Sequence, residues 1–430
     1  MSVAPNLRCG SQGAEDLLTP SPGAKDQPKL LARSGVMKGS SRTVVPGKPR
    51  VALLVQQVWP FLVPIMEMVR DGVHEFIVFA SVSREPNRQW QPDFGTLTVV
   101  VQKSISIASK WKHPLGFSDD NYLHLPVDTY TKLQAFRPDI VISFQLGFRS
   151  LMAAVYRAFH ANTRLILSVQ MTEHQQRGAG FLRIVLRRFL LKYADGVIAN
   201  GQSALRVMTS LGYPENRVTI IRTVCSLEQF MELKQASGWD AIRKLVYVGR
   251  LVNGKGLIPF LELLNQVVSE HAGLIVEMNF VGYGHLTEEL AEFKTCDRLK
   301  VVVRGPVAMD ERHLAYLYGH VFVFPSLSDE WGLVVNEAMA AGLPICGSVH
   351  SQAVTELVEE GRNGWLFDPF DRASMLHGLN RMLFSSAERI SEMGQNARTK
   401  IAEFVPVNSG TLHLRLITSV QNQMSNVDSE

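Results

Sequence analysis

Several features that define other classes of protein are scarce or missing in this chain of 430 residues. Its four cysteines show no CxxC pair and no metal-ligand spacing, which favours a reducing compartment and argues against a disulfide framework or a structural zinc site. No apolar run reaches the roughly 18 residues that a membrane-spanning helix needs, and the first residues lack the pattern of a secretory signal. We therefore expect a cytoplasmic protein.

The chain has only a small excess of positive over negative charge, and two ligand-binding patterns are absent. The net charge of +4 is small for this length; it suits anionic partners such as phosphate groups or a membrane surface but does not indicate a nucleic-acid-binding protein. No Asp-x-Asp pair occurs, so a common clasp for a divalent metal is missing. No Gly-x-Gly-x-x-Gly turn follows the first strand-like run, which argues against a dinucleotide-dependent oxidoreductase. We expect neither a metal nor a cofactor.

The apolar residues that are present follow the pattern of an α/β protein. The hydrophobic fraction of 46% is that of a globular protein, and the length predicts two domains. From Val51 onward, short apolar runs alternate with helical patterns, which is typical of βαβ units and parallel sheets. We predict two doubly wound α/β domains.

The candidate strands fall into two sets, separated by a stretch without a strong strand. The predicted strands are VALLV (51–55), FIVFA (76–80), DIVISF (139–144), RLILSV (164–169), DGVIAN (195–200), KLVYVG (244–249), IVEMNFVG (275–282), KVVVRG (300–305), VFVFP (321–325) and PICGS (344–348). We therefore predict a disordered tail at 1–49, a first domain at 50–225, a linker at 226–243, a second domain at 244–400, and a C-terminal helix within 401–430 that returns to the first domain.

The strongest functional motif is PSLSDEWGLVVNEAMAAGLPICGS, residues 325–348. A strand stops at Pro325, a helix is expected from about Trp331, and Gly342 followed by Leu and Pro ends that helix. A helix N-terminus at the carboxyl end of a strand offers free N–H groups and partial positive charge, which suit a pyrophosphate. Gly332 lets the backbone approach such an anion without a side chain in the way.

Two carboxylates flank this helix start. Asp329 and Glu337 are eight residues apart, or ~12 Å along a helix axis, roughly the span from a sugar ring across a diphosphate to a ribose. Because a carboxylate accepts two hydrogen bonds at once, we hypothesise that Asp329 binds sugar hydroxyls and Glu337 ribose hydroxyls. The alternative is that Asp329 only caps the helix and Glu337 is a solvated helix residue.

A second motif, YVGRLVNGKGL, spans residues 247–257. A strand ends at Gly249, and Arg250 and Lys255 follow in a loop rich in Gly and Asn. The planar fork of an arginine and the point charge of a lysine both complement a diphosphate. The alternative is a solvated loop that carries two basic residues.

Together these motifs resemble the signature of the retaining glycosyltransferases of family 4, also described as glycosyl transferases group 1. In that family two glutamates eight residues apart bracket an F/W-G-L segment before an EAMA helix. Glu337 matches the second glutamate, and Asp329 takes the place of the first, one methylene shorter, which leaves open whether Asp329 or Glu330 reaches the donor. The GR-x4-K pattern of Arg250 and Lys255 matches the start of the family's second domain.

The resemblance implies a GT-B fold, in which two Rossmann-like doubly wound domains face a central cleft. It implies metal-independent transfer of a sugar, with retention, from a nucleoside-diphosphate sugar to a glycan or lipid-linked acceptor in polysaccharide biosynthesis. Arg250, Lys255 and the helix N-terminus would neutralise the departing diphosphate. The resemblance also implies further donor contacts near Gly282, Arg304, Trp331, Gly332 and Leu333.

One segment of the first domain is a candidate for the other wall of the cleft. VQMTEHQQRG (169–178) follows a predicted strand, and its His174 could contact the donor sugar or the acceptor. The alternative for His174 is a packing or hydrogen-bonding role. Asn200 and Gly201 follow the next strand and are expected to line the cleft.

The segment FLRIVLRRFLLK, residues 181–192, predicts an amphipathic helix. It places Phe181, Leu182, Val185, Leu186 and Phe189 on one side, and Arg183, Arg187, Arg188 and Lys192 on much of the other. We predict that the apolar side packs on the core and that the basic side is solvated. Docking of this helix on an anionic bilayer, at the cytoplasmic face of a membrane, is the alternative.

Two other functions stay open at this point. A non-catalytic relative could bind a nucleotide sugar or a glycan and act as a scaffold, and the shorter Asp329 is the feature that favours it. A nucleotide-sugar epimerase of the same fold is the other, and it would need a base over the sugar ring and no acceptor. Release of nucleoside diphosphate separates transfer from both.

Overall fold

The computed structural model describes residues 47–85, 92–112, 118–177, 180–235 and 238–425. The tail predicted at 1–49 therefore lies outside the described residues, apart from its last three. Among the described residues, no helix combines the length and apolar character needed to span a membrane.

The first domain is built on a parallel sheet. The described strands up to Ile220 are β1 (Arg50–Val55), β2 (Glu75–Ala80), β3 (Val99–Val101), β4 (Ser104–Lys112), β5 (Ser118–Pro126), β6 (Ile140–Phe144), β7 (Arg164–Val169), β8 (Gly196–Ala199) and β9 (Val218–Ile220). Seven of these described strands form the sheet, in the order β3-β2-β1-β6-β7-β8-β9, and β4 and β5 pair as an antiparallel hairpin. The strands predicted from apolar runs coincide with β1, β2, β6, β7 and β8.

Helices cover both faces of this sheet. The described helices of the first domain are α1 (Val63–Gly72), α2 (Thr129–Phe136), α3 (Phe148–Phe159), α4 (Glu173–Gln176), α5 (Phe181–Lys192) and α6 (Gln202–Ser210), with 3-10 turns at Pro60–Leu62 and Glu215–Arg217. Along β1, Val51, Leu53 and Val55 pack into one hydrophobic cluster and Ala52 and Leu54 into another. The two clusters lie on opposite faces because side chains alternate along a strand.

The second domain repeats the plan. After α7 (Glu228–Met231), its described strands are β10 (Arg243–Val248), β11 (Val276–Val281), β12 (Leu299–Gly305), β13 (Val321–Phe324), β14 (Ile345–Ser348) and β15 (Gly364–Phe367). Its described helices are α8 (Leu257–Glu270), α9 (Thr287–Ala291), α10 (Leu333–Ala340), α11 (Gln352–Leu357), α12 (Arg372–Leu383) and α13 (Ala387–Ile401), with 3-10 turns at Asn253–Lys255 and Arg312–Tyr318. All six strands are parallel, in the order β12-β11-β10-β13-β14-β15.

Both strand orders confirm the prediction of two doubly wound domains. In each sheet the order reverses beside the first strand, between β1 and β6 and between β10 and β13. Ligands of open α/β sheets bind outside the carboxyl ends of the strands at such a reversal. The loops that follow these strands are therefore where the site is expected.

The segment predicted as a linker, residues 226–243, packs as part of the second domain. Leu227, Phe230 and Trp239 are buried in the same cluster as the second sheet. The indole Nε1 of Trp239 donates to the carbonyl oxygen of Ser385 at 2.9 Å. Before β10 begins at Arg243, the described part of this segment carries no strand, but its apolar side chains hold it against one domain.

The C-terminal helix α14 (Pro406–Ser425) packs against α1 of the first domain. Its Ile417 and Val420 are buried in the cluster that contains Ile65 and Met66 of α1. The chain thus returns to the domain in which it began, and two segments connect the domains.

Substitution of Ile417 by alanine tests this packing. Removing a buried side chain leaves a cavity, and we expect a loss of about 2–5 kcal/mol in the free energy of unfolding of the first domain. Val407→Ala, in the same helix but exposed, is the control and should change that free energy by no more than about 0.5 kcal/mol. Urea unfolding followed by circular dichroism measures both, and equal effects of the two substitutions would contradict the packing.

Candidate functional site

The loops that follow β10 and β11 are packed backbone to backbone. The N–H of Gly249 donates to the carbonyl oxygen of Val281 at 2.9 Å. A Cβ atom on Gly282 would lie 1.8 Å from the carbonyl oxygen of Gly249, so a side chain at that position would force the two loops apart. This contact places Gly249 and Gly282, both predicted from the sequence, side by side at the carboxyl edge of the second sheet.

Arg250 follows directly after this contact. Its carbonyl oxygen accepts a hydrogen bond from the hydroxyl of Tyr247 at 2.9 Å, and burial raises the pKa of Tyr247, which keeps that hydroxyl a donor. The guanidinium of Arg250 is half-buried and makes no ion pair or hydrogen bond with any residue that the structure describes. A cation at this edge is therefore available for an anion.

Lys255 ends the 3-10 turn Asn253–Lys255 and pairs with Asp329. Its ammonium group binds the Oδ2 atom of Asp329 and lies 5.3 Å from the centroid of the Phe324 ring. Lys255 belongs to the loop after β10 and Asp329 to the loop after β13, which are neighbouring strands at the reversal of strand order. The structure therefore brings together one residue from each of the two sequence motifs.

Helix α10 begins at Leu333, two residues later than the sequence predicts. Gly332 adopts φ +98°, a left-handed conformation that cannot belong to the helix, so Trp331 lies in the preceding turn. The Oδ1 atom of Asp329 accepts the N–H of Trp331 at 3.2 Å. Because no side chain caps α10, the first N–H groups of this helix have no side-chain acceptor and lie open to an anion.

Glu337 is buried in α10 and bound to two residues. Its Oε2 atom accepts the hydroxyl of Tyr316 at 2.7 Å, and its Oε1 atom lies 3.6 Å from Nε of Arg312. Burial raises the pKa of Glu337, although Arg312 and Tyr316 act in the opposite direction. The alternative in which Glu337 is a solvated helix residue is therefore wrong, since its carboxylate is turned into the protein.

Glu330 links the two domains through its backbone. Its carbonyl oxygen accepts Nδ2 of Asn200 at 2.8 Å and Nε2 of Gln352 at 3.0 Å. Its side chain makes no hydrogen bond or ion pair with any described residue. Burial and the neighbouring Asp329 carboxylate raise the pKa of Glu330 to about 7. The residue next to Asp329 is thus a carboxyl group that titrates near neutrality.

The N-terminus of α6, in the first domain, receives side chains from α11 of the second. The Glu356 carboxylate accepts the N–H of Gln202 and lies 2.8 Å from Nε of Arg222, and the N–H of Ala204 donates to Oε1 of Gln352 at 3.3 Å. The negative carboxylate suits the positive end of the helix dipole. Sequence reasoning does not single out Arg222 or Gln352; their position after a strand is the only signal that either residue carries.

His174, in α4, contacts the second domain. Its ring centroid lies 4.3 Å from that of His350 and 5.6 Å from that of Phe370. His350 is within 3.0 Å of Oδ1 of Asp368, and its carbonyl oxygen accepts the N–H of Asp329 at 3.0 Å. His174 is therefore one residue removed from Asp329, at the carboxyl edges of both sheets.

The side chain of Arg304 binds residues of its own domain. Its Nε donates to Oδ1 of Asn279 at 2.8 Å, and its guanidinium lies 3.8 Å from the centroid of the Tyr318 ring and 3.7 Å from Glu277. The side chain is thus held away from the Lys255–Asp329 pair by three partners. That the backbone of Arg304 contacts a donor stays a prediction.

The site as a whole combines positive charge with hydroxyl-binding groups. Two cations and an uncapped helix N-terminus lie at one sheet edge, beside the carboxylates of Asp329, Glu330 and Glu337. Such an arrangement can bind a diphosphate and hydrogen-bond the hydroxyls on either side of it. Among the described residues, no group of three or more His, Cys, Asp or Glu side chains could hold a metal ion.

Several known proteins with similar sequences are named as glycosyltransferases. The chain is 31% identical to the sulfoquinovosyl transferase of Arabidopsis thaliana over 41% of this chain and 33% of that protein. It is 23% identical to a putative colanic acid biosynthesis glycosyltransferase of Salmonella typhimurium over 60% of this chain and 62% of the relative. It is 28% identical to an amylovoran biosynthesis glycosyltransferase of Erwinia amylovora over 42% of this chain and 46% of the relative. The match thus spans between a third and three fifths of each relative.

Solved structures match over most of the chain. Anabaena HepE in complex with UDP has a TM-score of 0.61 and 18% identity, covering 88% of this chain and 99% of that one. The lipopolysaccharide outer core galactosyltransferase WaaB has a TM-score of 0.64 and 14% identity, covering 86% of this chain and 99% of that one. At these identities the likeness concerns the fold, which is the two-domain GT-B arrangement.

Two sequence families cover the two domains. The family described as Glycosyltransferase Family 4 matches residues 66–229, and the family described as Glycosyl transferases group 1 matches residues 242–384. The first match lies in the domain that carries His174 and Asn200, and the second contains Arg250, Lys255 and Asp329. The chain therefore belongs to the group 1 glycosyltransferases of family 4, with a GT-B fold.

Proposed function

We propose that this protein transfers a sugar from a nucleoside-diphosphate sugar to a glycan or lipid-linked acceptor, with retention of configuration and without a metal ion. One observation carries the proposal. Arg250, Lys255 and the uncapped N-terminus of α10 lie together at the carboxyl edge of the second sheet, where only Lys255 has an anionic partner. A diphosphate supplies an anionic partner for Arg250 and for the N–H groups of α10.

The leaving group is stabilised by charge. As the bond between the anomeric carbon and the phosphate oxygen breaks, its electron pair passes to the diphosphate, and negative charge grows there. Arg250, Lys255 and the N–H groups of α10 would receive that charge, because fixed cations and dipoles stabilise it without waiting for solvent to reorient. The acceptor hydroxyl attacks from the same face and passes its proton to the departing diphosphate oxygen, which yields retention.

The carboxylates orient the donor. Asp329 pairs with Lys255; once a diphosphate shares Lys255, the carboxylate of Asp329 can accept hydroxyls of the donor sugar. Glu337 has one oxygen bound to Tyr316 and the other 3.6 Å from Arg312. That second oxygen makes no hydrogen bond with a described residue, and the side chain is 11% exposed, so it can accept a hydrogen bond from a ribose hydroxyl. The first domain then supplies the acceptor side, with His174 at the cleft.

Relatives suggest which ligands to test first. HepE is described in complex with UDP and with UDP-glucose, which makes uridine nucleotides the first donors to try. Two relatives are named for the biosynthesis of colanic acid and amylovoran, which supports a glycan acceptor. A panel of UDP-, GDP- and ADP-sugars with glycan acceptors, scored by release of nucleoside diphosphate, tests the proposed function. Release of nucleoside diphosphate with none of the donors would contradict it.

Removal of either cation should slow the reaction without unfolding the protein. For Arg250→Ala and Lys255→Ala we expect the rate of nucleoside diphosphate release to fall about 10²–10³-fold, because each substitution removes a preorganised charge at the leaving group. Lys294→Ala is the matched control, since Lys294 is exposed and precedes β12, away from the carboxyl edge. An unchanged rate in both site variants would refute the role of the cations.

The pH dependence of donor binding should depend on Glu330. A bound diphosphate adds negative charge beside this carboxyl group and raises its pKa further above the value of about 7 in the empty site. Binding therefore favours the protonated form, so donor affinity should fall several-fold between about pH 6 and pH 9. In Glu330→Gln the affinity should be nearly constant over that range. Calorimetric titration measures both, and parallel pH profiles would count against the account.

Removal of divalent metals should leave the activity intact. The proposed charge stabilisation comes from Arg250, Lys255 and α10, so treatment with EDTA followed by dialysis should change the rate of transfer by less than about twofold. Activity that disappears with EDTA and returns with added magnesium or manganese would show that the metal-free mechanism is wrong.

A further inference from the structure

Helix α5 exposes an apolar face to solvent. Phe181 is 78% exposed, Leu182 83%, Val185 47% and Phe189 39%. The sequence-based prediction that this side packs on the core is therefore wrong. The residues of α5 that are buried are Leu190 and Leu191, at the other end of the helix.

The exposed face is not required for folding. The inner side of α5 already packs on the first domain, through buried Leu190 and Leu191 and the half-buried Ile184 and Leu186. The helix is apolar on more than one side, which is why its periodicity did not indicate which side faces the core. Four large apolar side chains at helical spacing thus form a second stripe that the fold leaves uncovered.

Positive charge without compensation lies beside this stripe. Arg188 and Lys192 are exposed on the side of the helix that carries the stripe, and the chain from Arg177 to Lys192 contains no Asp or Glu. None of the basic residues of α5 forms an ion pair with a carboxylate in the part of the chain that the structure describes. An apolar stripe flanked by unpaired cations is the pattern of a helix that lies in the interface of an anionic bilayer.

The position of α5 relates the stripe to the cleft. The helix follows β7 and α4, so its first turn lies toward the carboxyl edge of the sheet, where His174 faces the second domain. The two most exposed apolar residues, Phe181 and Leu182, are in that first turn. A surface that contacts α5 along its first turn is therefore on the cleft side of the first domain.

We propose that α5 docks the first domain on an anionic lipid bilayer. Phe181, Leu182, Val185 and Phe189 enter the boundary between headgroups and acyl chains, and Arg188 and Lys192 contact lipid phosphates. The bilayer supplies both the apolar medium and the negative charge that the helix lacks. Docking in this orientation presents the acceptor side of the cleft to the membrane surface. The proposal concerns binding alone and does not depend on the proposed transfer reaction.

Co-sedimentation of the full chain with lipid vesicles tests the docking. The wild type should bind vesicles of phosphatidylcholine and phosphatidylglycerol and bind pure phosphatidylcholine at least about tenfold more weakly; binding should also weaken in high salt. Phe181→Ser combined with Leu182→Ser should lower the partition coefficient on the anionic vesicles about tenfold or more. Arg188→Glu combined with Lys192→Glu should reduce binding to the level seen with neutral vesicles.

Phe159→Ser is the matched control. Phe159 is 75% exposed in the same domain, but it ends α3, a helix that runs from the carboxyl to the amino edge of the sheet. Its substitution should leave vesicle binding unchanged, and all variants should keep the melting temperature of the wild type, since the altered side chains are exposed. Equal binding of the wild type to both kinds of vesicle, or unaltered binding of the Phe181 and Leu182 variant, would overturn the proposal. So would self-association through α5 without vesicle binding.

Discussion

The pairing of Lys255 with Asp329 is the interaction on which the site depends. The two residues come from the loops after β10 and β13, which flank the reversal of strand order in the second sheet. Half-buried charges of opposite sign are stable together in a way that either alone is not. Their pairing keeps the two loops in contact while no ligand is bound, and it leaves Arg250 as a cation without an anion. The charge of the empty site is thus complementary to a diphosphate.

The same loop also joins the two domains. Asp329 is followed by Glu330, whose carbonyl oxygen binds Asn200 of the first domain, and the N–H of Asp329 binds His350, whose ring lies against His174. A ligand that shares Lys255 also affects Asp329. A movement of Asp329 would displace Glu330 and His350, the two residues that make the interdomain contacts. We therefore expect a ligand that binds Lys255 to affect both interdomain contacts through this one short turn.

Local patterns in the sequence are sufficient for ten of the fifteen described strands and for the loops that follow β10 and β13. The strands β1, β2, β6, β7, β8 and β10 to β14 follow from buried apolar runs, and Gly332 with Lys255 follows from motifs whose chemistry is local. The predicted start of α10 is two residues too early, because helix propensity alone does not show that Gly332 takes a left-handed conformation.

Features that depend on tertiary contacts could not be predicted from the sequence. The hairpin of β4 and β5 exposes Ile105 and Ile107 and therefore lacks a buried apolar run, and the unpredicted strands β3, β9 and β15 have only three or four residues each. Helix α5 is apolar on two sides, so its periodicity cannot indicate which side is covered. The contacts of Glu356 with Gln202 and Arg222 join residues more than a hundred positions apart, and no spacing rule links such partners.

A thermal-shift screen against UDP-, GDP- and ADP-sugars tests the central claim most directly, because a ligand that binds only the folded state raises the melting temperature. The account predicts that at least one of these donors raises the melting temperature of the wild type and that this rise is lost in Arg250→Ala and in Lys255→Ala. No rise with any nucleotide sugar, or an equal rise in both variants, would contradict a diphosphate site at the carboxyl edge of the second sheet.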